Sequence, residues 1–338
     1  MQASFPPIRV QTAPIDDSAL PSACGRFFDD IDEQAASLNG WNQRYIQLSA
    51  GTFRGSVQRL NVSGISLFIE DLQQTVHQTG MVRPDVVALG IPLHFSGNSR
   101  FCGKPGSVAE LHVFSGTEGF EFHSPKRHVM LGIEIDRPVF ADFFAVDGAE
   151  QASTPALQAG LYPVEQNAAD SLRAFGVALF RSAACRPTAL DAAPENTWVR
   201  DTLLEKLMLM LETPMHAIGH GCHGARFLPL ALERRARDLV LAQLDQPPSV
   251  AELCCCLGVS RRTLQNCIQA TWGMGPLAWV NTLRLNAVRS RLKTATSVTE
   301  AATEFGFWHF GHFSAGYHAL FGEPPSATLG RYRRSSPP

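Results

Sequence analysis

The sequence predicts an α+β chain, with a β-rich N-terminal region and flanking helices followed by an all-α C-terminal region that carries two helix-turn-helix motifs. Two patterns predict this fold class. Many short strand-like segments punctuated by glycines occupy residues 41–135, and one capped-helix pattern occurs twice after residue 248. A length of 338 residues agrees with more than one domain.

Composition and charge indicate the broad class of the protein. Apolar residues make up 45% of the chain, which is enough for sizeable cores, and the sequence contains neither an apolar run long enough to span a membrane nor a secretory signal. Eight cysteines lack paired spacing, so we expect no disulfide framework and a reducing cytoplasm.

Residues 229–338 hold 12 Lys and Arg against 7 Asp and Glu, whereas residues 1–228 hold 17 Lys and Arg against 24 Asp and Glu. A basic C-terminal piece on an acidic body is typical of a DNA-binding module attached to another domain.

Residues 1–40 are predicted to form an N-terminal arm, because prolines recur there and hydrophobic periodicity is weak. The arm carries several acidic side chains, and a run of like charges usually forms a solvated surface. We therefore expect such a surface from Asp16, Asp17, Asp29, Asp30, Asp32 and Glu33.

Residues 41–135 are predicted to form β-strands. Polar and apolar residues alternate in Arg44–Leu48, Ser56–Val62 and Ser66–Glu70, whereas Val86–Leu89 and His128–Ile133 are apolar enough for buried strands. Glycines separate these segments at turn spacing. Many short strands of even spacing predict a closed or double-layered β fold.

Residues 138–212 are predicted to be mainly helical. The candidate helices are Pro138–Phe144, Ala168–Ala184 and Thr197–Glu212. Leucines and methionines of the third helix form an apolar stripe. Such a stripe suits either a homodimer interface or the chain's own core.

A flexible linker is predicted at residues 214–228 because glycines cluster there. It contains side chains that can bind metals, namely His216, His220, Cys222 and His223. Their spacing matches no standard metal site, so we expect no bound metal, and a metal- or thiol-responsive protein that uses this cluster remains an alternative. Of the adjacent Cys254–Cys256, two are expected to face the helix-turn-helix core as small hydrophobic residues.

The C-terminal domain, residues 229–334, contains one pattern twice. Ser249–Ser260 and Ser297–Phe307 each begin with Ser-x-x-Glu, a capping box in which serine and glutamate satisfy each other's backbone amides. Each short helix then ends near a glycine, Gly258 or Gly306, which can adopt the left-handed conformation. Because the caps and glycines repeat in register 48 residues apart, the pattern predicts two helix-turn-helix motifs.

The helix after Gly258 has one polar face. Leu264 and Ile268 form its buried stripe, and the other side presents Arg261, Arg262, Gln265, Asn266 and Gln269. Arginine, glutamine and asparagine are the side chains that pair with guanine and adenine edges in the major groove. This helix is therefore predicted to be a recognition helix.

A single helical rod is predicted between the two motifs. Pro276–Lys293 has apolar residues at helical spacing, including Leu277, Val280 and Val288. Its length would be roughly 27 Å, and successive major-groove segments on one face of DNA lie about 34 Å apart. The rod could therefore place both recognition helices in successive grooves.

Residues 230–332 resemble the DNA-binding domain of AraC/XylS-type bacterial transcription regulators. The resemblance is carried by Leu257–Gln265, Leu283–Leu285, Phe305–Ser314 and Phe321–Ser326. The aromatic run Trp308–Phe313 is most similar to the XylS-type and ethanolamine-operon branches of that family.

The resemblance implies DNA-facing positions in both second helices. In the first motif these are Arg262, Gln265, Asn266 and Gln269, beside which Arg261 is also assigned. In the second motif they are Phe310, Gly311, Ser314 and Ala315, beside which His309 is also assigned. The commoner family pattern has an arginine where Ala315 stands, so we expect the second helix to make phosphate and shape contacts more than base contacts.

For residues 41–213 the resemblance implies a cupin-like ligand-binding β-barrel, whose first strand, Trp41–Gly51, is similar to that of the ethanolamine-operon regulator. Aromatic residues could line the barrel mouth or fill its core, namely Phe95, Phe101, Phe114, Phe120 and Phe122. The histidines never occur as His-x-His, the metal-binding pattern of cupin enzymes. We therefore expect neither a catalytic metal nor an enzyme.

Together these observations predict a cytoplasmic, ligand-responsive transcription regulator that activates a catabolic operon and needs no cofactor. The expected partners are double-stranded promoter DNA, RNA polymerase, a small-molecule effector and a second copy of the chain. A cupin-type enzyme fused to a DNA-binding domain remains a second alternative. The sequence leaves the effector and its binding residues open.

Overall fold

The computed structural model describes residues 25–144, 158–185, 195–218 and 228–335. Its strands are β1 Arg26–Phe28, β2 Trp41–Gln47, β3 Gly55–Val62, β4 Ile65–Leu72, β5 Val76–Val82, β6 Val86–Ser96, β7 Ser99–Phe101, β8 Lys104–Gly106, β9 Glu110–Phe114, β10 Phe120–His123, β11 Arg127–Asp136 and β12 Gly160–Pro163. Its helices are α1 Ile31–Ser37, α2 Arg137–Phe144, α3 Gln166–Cys185, α4 Glu195–Ile218, α5 Leu228–Leu241, α6 Val250–Leu257, α7 Arg261–Trp272, α8 Pro276–Arg291, α9 Val298–Glu304, α10 Phe310–Phe321 and α11 Pro325–Ser335.

Within the described ranges, the strands form two antiparallel sheets and no closed barrel. One sheet has seven strands in the order β1-β3-β4-β11-β6-β9-β12, and the other has five in the order β2-β5-β10-β7-β8. The prediction of a cupin-like barrel is therefore not confirmed, and the double-layered alternative describes the observed fold. Because the end strands of each sheet pair on one side only, each sheet keeps two edges.

The seven-stranded sheet is covered on both faces. Its inner face meets the five-stranded sheet across a core that includes Trp41 and Phe114. Its outer face packs on α3 and α4 through side chains such as Leu131 and Leu203. A strand that is buried on both faces needs no polar alternation, which explains the apolar run at His128–Ile133.

The predicted helices of residues 138–212 are present as α2, α3 and α4, with shifted ends. Helix α4 continues to Ile218, inside the segment for which a linker is predicted. The leucines of its apolar stripe lie in the chain's own core, because Leu203, Leu204, Leu207 and Leu211 are buried. Helix α1 was not predicted from the sequence. Asp30 caps it by accepting hydrogen bonds from the amides of Asp32 and Glu33.

The C-terminal domain has two hydrophobic cores that share α8. One core surrounds α5, α6, α7 and the first half of α8, where Trp279 and Leu283 are buried. The other surrounds α9, α10, α11 and the second half of α8, where Val288 and, just after the helix, Leu292 are buried. Since one helix contributes to both cores, the two helix-turn-helix units are held to a common rod.

Helix α8 is shorter than the predicted rod and is buried differently. It spans 16 residues, which corresponds to about 24 Å. Leu277, which the periodicity placed on the buried stripe, is 77% exposed, whereas Arg289 is only 2% exposed. The prediction was wrong for Leu277. No prediction was made for Arg289, which is buried because it faces the carboxylates of Asp30 in the N-terminal domain and of Glu323 between α10 and α11.

Of the helices within the described ranges, none combines the length and the apolar character that crossing a membrane requires.

Candidate nucleic-acid interface

Helices α6 and α7 form the first helix-turn-helix unit. The Ser249 hydroxyl accepts a hydrogen bond from the Glu252 amide at 3.2 Å, and the Glu252 carboxylate accepts one from the Ser249 amide at 2.7 Å. Gly258 follows α6 with φ 65°. Ser260 then caps α7, its hydroxyl accepting from the Thr263 amide at 3.1 Å. The capping box and the turn predicted for this copy are both present.

Helices α9 and α10 form the second unit, which differs at its cap. The Ser297 hydroxyl accepts from the Glu300 amide at 3.0 Å. The Glu300 carboxylate accepts from the Thr296 amide at 2.8 Å and pairs with Arg291 at 2.6 Å. Among the described contacts, the Glu300 carboxylate does not accept a hydrogen bond from the Ser297 amide, so the full capping box predicted here is absent. The carboxylate instead pairs with Arg291 at the end of α8.

Gly306 ties the second unit to the rest of the domain. Its φ is 71°, and a Cβ there would overlap the carbonyl oxygen of Asp245, in the segment between α5 and α6. Arg284 of α8 donates to the Phe305 carbonyl at 3.0 and 2.6 Å, and its guanidinium lies 4.1 Å from the centre of the Phe307 ring. The turn of the second unit is thus fixed to α8 and to the first unit.

The polar face of α7 is open to solvent. All of its predicted DNA-facing side chains are exposed, namely Arg261, Arg262, Gln265, Asn266 and Gln269. The opposite face is buried in the domain core through Leu264, Cys267, Ile268 and Trp272. The structure therefore presents five hydrogen-bonding side chains on one accessible side of one helix.

Helix α10 presents a less polar surface. The predicted residues His309, Phe310, Gly311, Ser314 and Ala315 are all exposed, while Phe313, Tyr317 and Phe321 are buried. His309 precedes the helix without a side-chain cap hydrogen bond, which leaves the first-turn amides of α10 free of a side-chain cap. Trp308 is 71% exposed at the same end. Trp308 was not predicted to lie at the interface.

The N-terminal domain docks on α8 through the edge strand β2. Asn286 accepts a hydrogen bond from the Gln47 amide at 2.9 Å and donates one to the Gln47 carbonyl at 3.1 Å. Ile46 is buried in the core of the first helix-turn-helix unit. The Asn286 amide therefore pairs with the edge of the five-stranded sheet as a neighbouring strand would.

A second contact joins β5 and β10 to α5 and to the end of α7. We call it the latch; its members are His77, Glu121, Glu233, Arg237 and Trp272. Arg237 Nη1 lies 2.7 Å from His77 Nε2, 2.7 Å from Glu121 Oε1 and 3.2 Å from Glu233 Oε1. The Trp272 indole donates to Glu233 at 2.9 Å, and its ring centre lies 4.2 Å from that of His77. The last residue of α7 thus touches the N-terminal sheet.

Burial and charge set the protonation of the latch. Burial lowers the pKa of His77, whose Nε2 lies 2.7 Å from Arg237 Nη1 and 3.1 Å from Glu121 Oε1. Burial would raise the pKa of Glu121, but the hydrogen bond from His77 and the charge of Arg237 hold it well below 4.5. Burial, and then the charge of Glu121, raise the pKa of Glu233 to about 8. The latch therefore contains one charged carboxylate and one that is mostly protonated at neutral pH.

A third contact involves the acidic residues at the start of the described chain. Asp30 is fully buried and pairs with Lys293 and Arg289 of the α8 region. Asp32 lies 2.8 Å from Lys293, and Glu33 accepts from the Tyr332 hydroxyl at 2.9 Å. The prediction of a solvated acidic surface is wrong for Asp30, which Arg289 and Lys293 cover. Asp32 is partly buried, whereas Asp29 and Glu33 are exposed. Asp16 and Asp17 lie outside the described residues.

The cysteines and the candidate metal ligands give weaker evidence of a functional site than the helices do. His77, Glu121 and Glu233 hold potential ligand atoms within 4.8 Å of one another, but the Arg237 guanidinium already supplies the positive charge among them. Cys254 is half-buried, whereas Cys255 and Cys256 are exposed, so only the first packs as a small hydrophobic residue. The metal-binding side chains predicted in the linker lie outside the side chains that the structure describes.

The C-terminal domain has two helix-turn-helix units on a shared rod, and the second helix of the first unit is polar and exposed. These features define a DNA-binding protein whose recognition domain is docked on a β-sandwich. Comparison with known proteins narrows this class. A family model described as "Helix-turn-helix domain" matches residues 253–331. The XylDLEGF operon transcriptional activator 2 of Pseudomonas putida is 31% identical over 135 residues, which cover 39% of this chain and 80% of that protein. The chain belongs to the AraC/XylS family of transcription regulators, as its motifs indicated.

Other relatives match mainly the C-terminal domain. The probable thc operon regulatory protein of Rhodococcus erythropolis is 36% identical over 100 residues, which cover 28% of this chain but only 30% of that protein. A crystal structure of a transcriptional regulator with an AraC-type DNA-binding domain from Chromobacterium violaceum aligns with 26% identity and a TM-score of 0.30, covering 31% of this chain and 96% of that one.

Proposed function

We propose that the chain is a ligand-responsive activator that binds promoter DNA through α7 and α10 and recruits RNA polymerase in the cytoplasm. The observation that carries the proposal is the exposed row of arginine, glutamine and asparagine side chains on α7, next to a second exposed helix on the same rod. The named relatives that are activators of the XylDLEGF operon support the activating role. The residue ranges 41–213 and 229–334 remain our proposal for the sensor and DNA-binding domains.

Base recognition is assigned chiefly to α7. Arg262 can donate two hydrogen bonds to guanine, and Gln265, Asn266 and Gln269 can each pair with adenine. By contrast, α10 exposes no arginine or lysine, and its accessible residues include Phe310 and Gly311. Its uncapped first-turn amides suit a DNA phosphate. We therefore propose that α10 contributes position and shape contacts, while α7 supplies most of the sequence discrimination.

The direct test uses Arg262→Ala and Gln265→Ala. The preferred duplex is first selected from a random library with the wild-type chain, and affinities for it and for random DNA are then compared at one salt concentration. Each variant is expected to lose about 1–3 kcal/mol of discrimination at one base position. Thr299→Ala, on the exposed surface of α9, is the matched control. If both variants retain full discrimination, α7 does not read the bases.

A homodimer is a further part of the proposal. Helix α4 leaves Trp198 67% exposed and Leu209 56% exposed, and these residues lie on one side of the helix, eleven positions apart. Large exposed apolar side chains on one face are typical of a protein interface. Light scattering would give the mass in solution, and Trp198→Glu is expected to shift it toward the monomer.

A further inference from the structure

Helices α7 and α10 can be compared position by position. Each has 12 residues and is followed by a glycine in the left-handed conformation, Gly273 with φ 70° and Gly322 with φ 71°. Their exposed positions coincide along the whole length. They also share three buried positions, which hold Leu264 and Phe313, Ile268 and Tyr317, and Trp272 and Phe321. The two helices therefore present equivalent faces to whatever lies outside the domain.

The exposed row of α10 differs in chemistry from that of α7. Where α7 presents Arg261, Arg262, Gln265, Asn266 and Gln269, the equivalent positions of α10 hold Phe310, Gly311, Ser314, Ala315 and His318. Arginine, glutamine and asparagine can pair bidentately with guanine or adenine. The row of α10 contains none of these side chains, so a base contact made by α10 must use another chemistry.

Phe310 occupies a position from which a side chain reaches a base. It is the first residue of α10, and the first residues of a recognition helix are those that contact base edges. Its ring is exposed, although the next phenylalanine of the helix, Phe313, is buried. Covering an exposed ring with a partner is favourable because it removes apolar surface from water. Phe310 therefore offers an apolar contact where Arg261 offers a polar one.

The residue beside this ring, Gly311, is not required to be glycine by the described structure. A Cβ there would meet nothing within 4 Å, and its φ is not positive. Glycine within a helix is less favourable than alanine. The remaining use of glycine is to let the backbone approach a ligand closely. Gly311 thus allows the start of α10 to come near a partner that the Phe310 ring contacts.

The thymine methyl group is the apolar feature of the major groove. The other groups that the base edges present there are hydrogen-bond donors and acceptors, whereas thymine also carries a C5-methyl group. Phenylalanine and alanine make apolar contacts with this methyl group, and both occur in the exposed row, as Phe310 and Ala315. Such a contact needs no cationic side chain, in agreement with the absence of lysine and arginine from α10.

We propose that α10 recognises a thymine in its half of the operator through Phe310, whose ring contacts the C5-methyl group in the major groove while Gly311 permits the close approach. The inference rests on the proposed DNA-binding function. It adds one base-specific contact to the position and shape contacts proposed for α10, and it leaves most of the sequence discrimination to α7.

The test replaces thymine by deoxyuridine, which pairs with adenine in the same way and lacks only the methyl group. The half of the selected duplex that α7 contacts is identified by the positions at which Arg262→Ala and Gln265→Ala lose discrimination. Thymines in the other half are then replaced one at a time, and the affinity of the full chain is measured at one salt concentration. One replacement is expected to weaken binding about fourfold, since burial of one CH₂-sized group contributes about 0.8 kcal/mol.

A double-mutant cycle assigns this effect to Phe310. In Phe310→Ala the same deoxyuridine replacement should change the affinity less than twofold, because the ring that contacts the methyl group is gone. Phe310→Leu keeps an apolar side chain and should retain part of the preference for thymine. Trp308→Ala removes an exposed aromatic ring two residues before it and is the matched control. It should leave the fourfold preference intact, whatever its effect on total affinity.

The outcomes separate this inference from the proposed function. Sequence-specific binding that no deoxyuridine replacement weakens, or a thymine preference that survives Phe310→Ala, overturns the inference and leaves the regulator assignment in place. The same holds if Phe310→Ala binds both duplexes as the wild type does but no longer recruits RNA polymerase, since the ring would then contact a protein. If the chain binds no duplex sequence-specifically, the proposed function itself falls.

Discussion

At the scale of single residues, Arg237 shows how one side chain can join two domains. Its Nη1 atom contacts His77 and Glu121 of the N-terminal sheet and Glu233 of its own helix. The side chain is 11% exposed and that of Glu121 is 6% exposed. A buried ion pair is most costly when one partner is removed, because the remaining charge is left without compensation.

Arg237→Met is therefore expected to destabilise the full chain by about 3–5 kcal/mol, measured by chemical denaturation. Arg235→Met is the control, since Arg235 is an exposed arginine on the same helix and should cost well under about 1 kcal/mol. Equal losses in the two variants would mean that the latch contributes nothing beyond ordinary surface charge.

Two glycines with nearly the same backbone angle give a second residue-scale prediction. Gly258 and Gly306 have φ of 65° and 71°, so alanine at either position pays roughly 1–2 kcal/mol for the left-handed conformation. A Cβ at Gly258 meets nothing within 4 Å, whereas at Gly306 it overlaps the Asp245 carbonyl. Gly306→Ala should therefore lower the melting temperature clearly more than Gly258→Ala. Similar melting temperatures would show that the contact with Asp245 yields easily.

At the scale of elements, α8 has three roles. It contributes to both hydrophobic cores of the C-terminal domain, it anchors the second unit through Arg284 and Arg291, and it pairs with the edge of β2 through Asn286. The sequence revealed the helix by its periodicity and its N-terminal proline. It did not reveal that a third surface, toward β2, is also buried, because a periodicity argument assumes one apolar face.

Asn286→Ala is expected to remove the hydrogen bonds that α8 makes to the edge of β2. The substitution leaves the Gln47 amide and carbonyl without their partner, which costs about 1–3 kcal/mol for buried polar groups. Hydrogen exchange of the Gln47 amide should become faster. Asn281→Ala on the same helix is the control and should leave that amide protected. Unchanged protection in Asn286→Ala would show that β2 does not depend on the side-chain pairing.

At the scale of the whole molecule, the buried groups give domain docking a pH optimum. The pKa of Glu233 is raised to about 8 by burial and by Glu121, from an ordinary value of 4.5, so its contribution to docking is lost as the pH rises through about 8. The pKa values of His77 and His123 are lowered from 6.5 by burial, so their contribution is present above 6.5 and is lost as the pH falls. Burial opposes the charge of Arg237, but Glu121 and Glu233 raise its pKa, so it stays charged throughout.

The two domains should therefore dock most tightly near pH 6.5 and less tightly at higher and at lower pH. Small-angle scattering across this range would report the change as an increase in the radius of gyration. Glu233→Gln removes the titration on the alkaline side, so that variant should stay compact up to about pH 8. The assignment to Glu233 fails if the variant loosens with the wild-type pH dependence.

The docked arrangement leaves both recognition helices exposed while it holds α7 through Trp272. The acidic cap of α1 also neutralises Arg289 and Lys293, so these two cations are not available to DNA phosphates in this conformation. The sequence showed the net positive charge of the C-terminal domain, but only the contacts show which of its basic residues are already paired.

The sequence by itself determined the two helix-turn-helix units, the capping box of the first, the turns of both and the polar face of α7. These features depend on hydrogen bonds and side-chain spacings within a few residues, so a short pattern is enough to specify them. The same is true of β2, β3, β4, β6 and β11 and of α2, α3 and α4. The tertiary structure alone decided that the strands form two sheets, that Asp30 is buried, and that His77 and Arg237 lie along one interface. These outcomes depend on which edges and charges meet across more than a hundred residues of chain, and no local pattern records those long-range pairings.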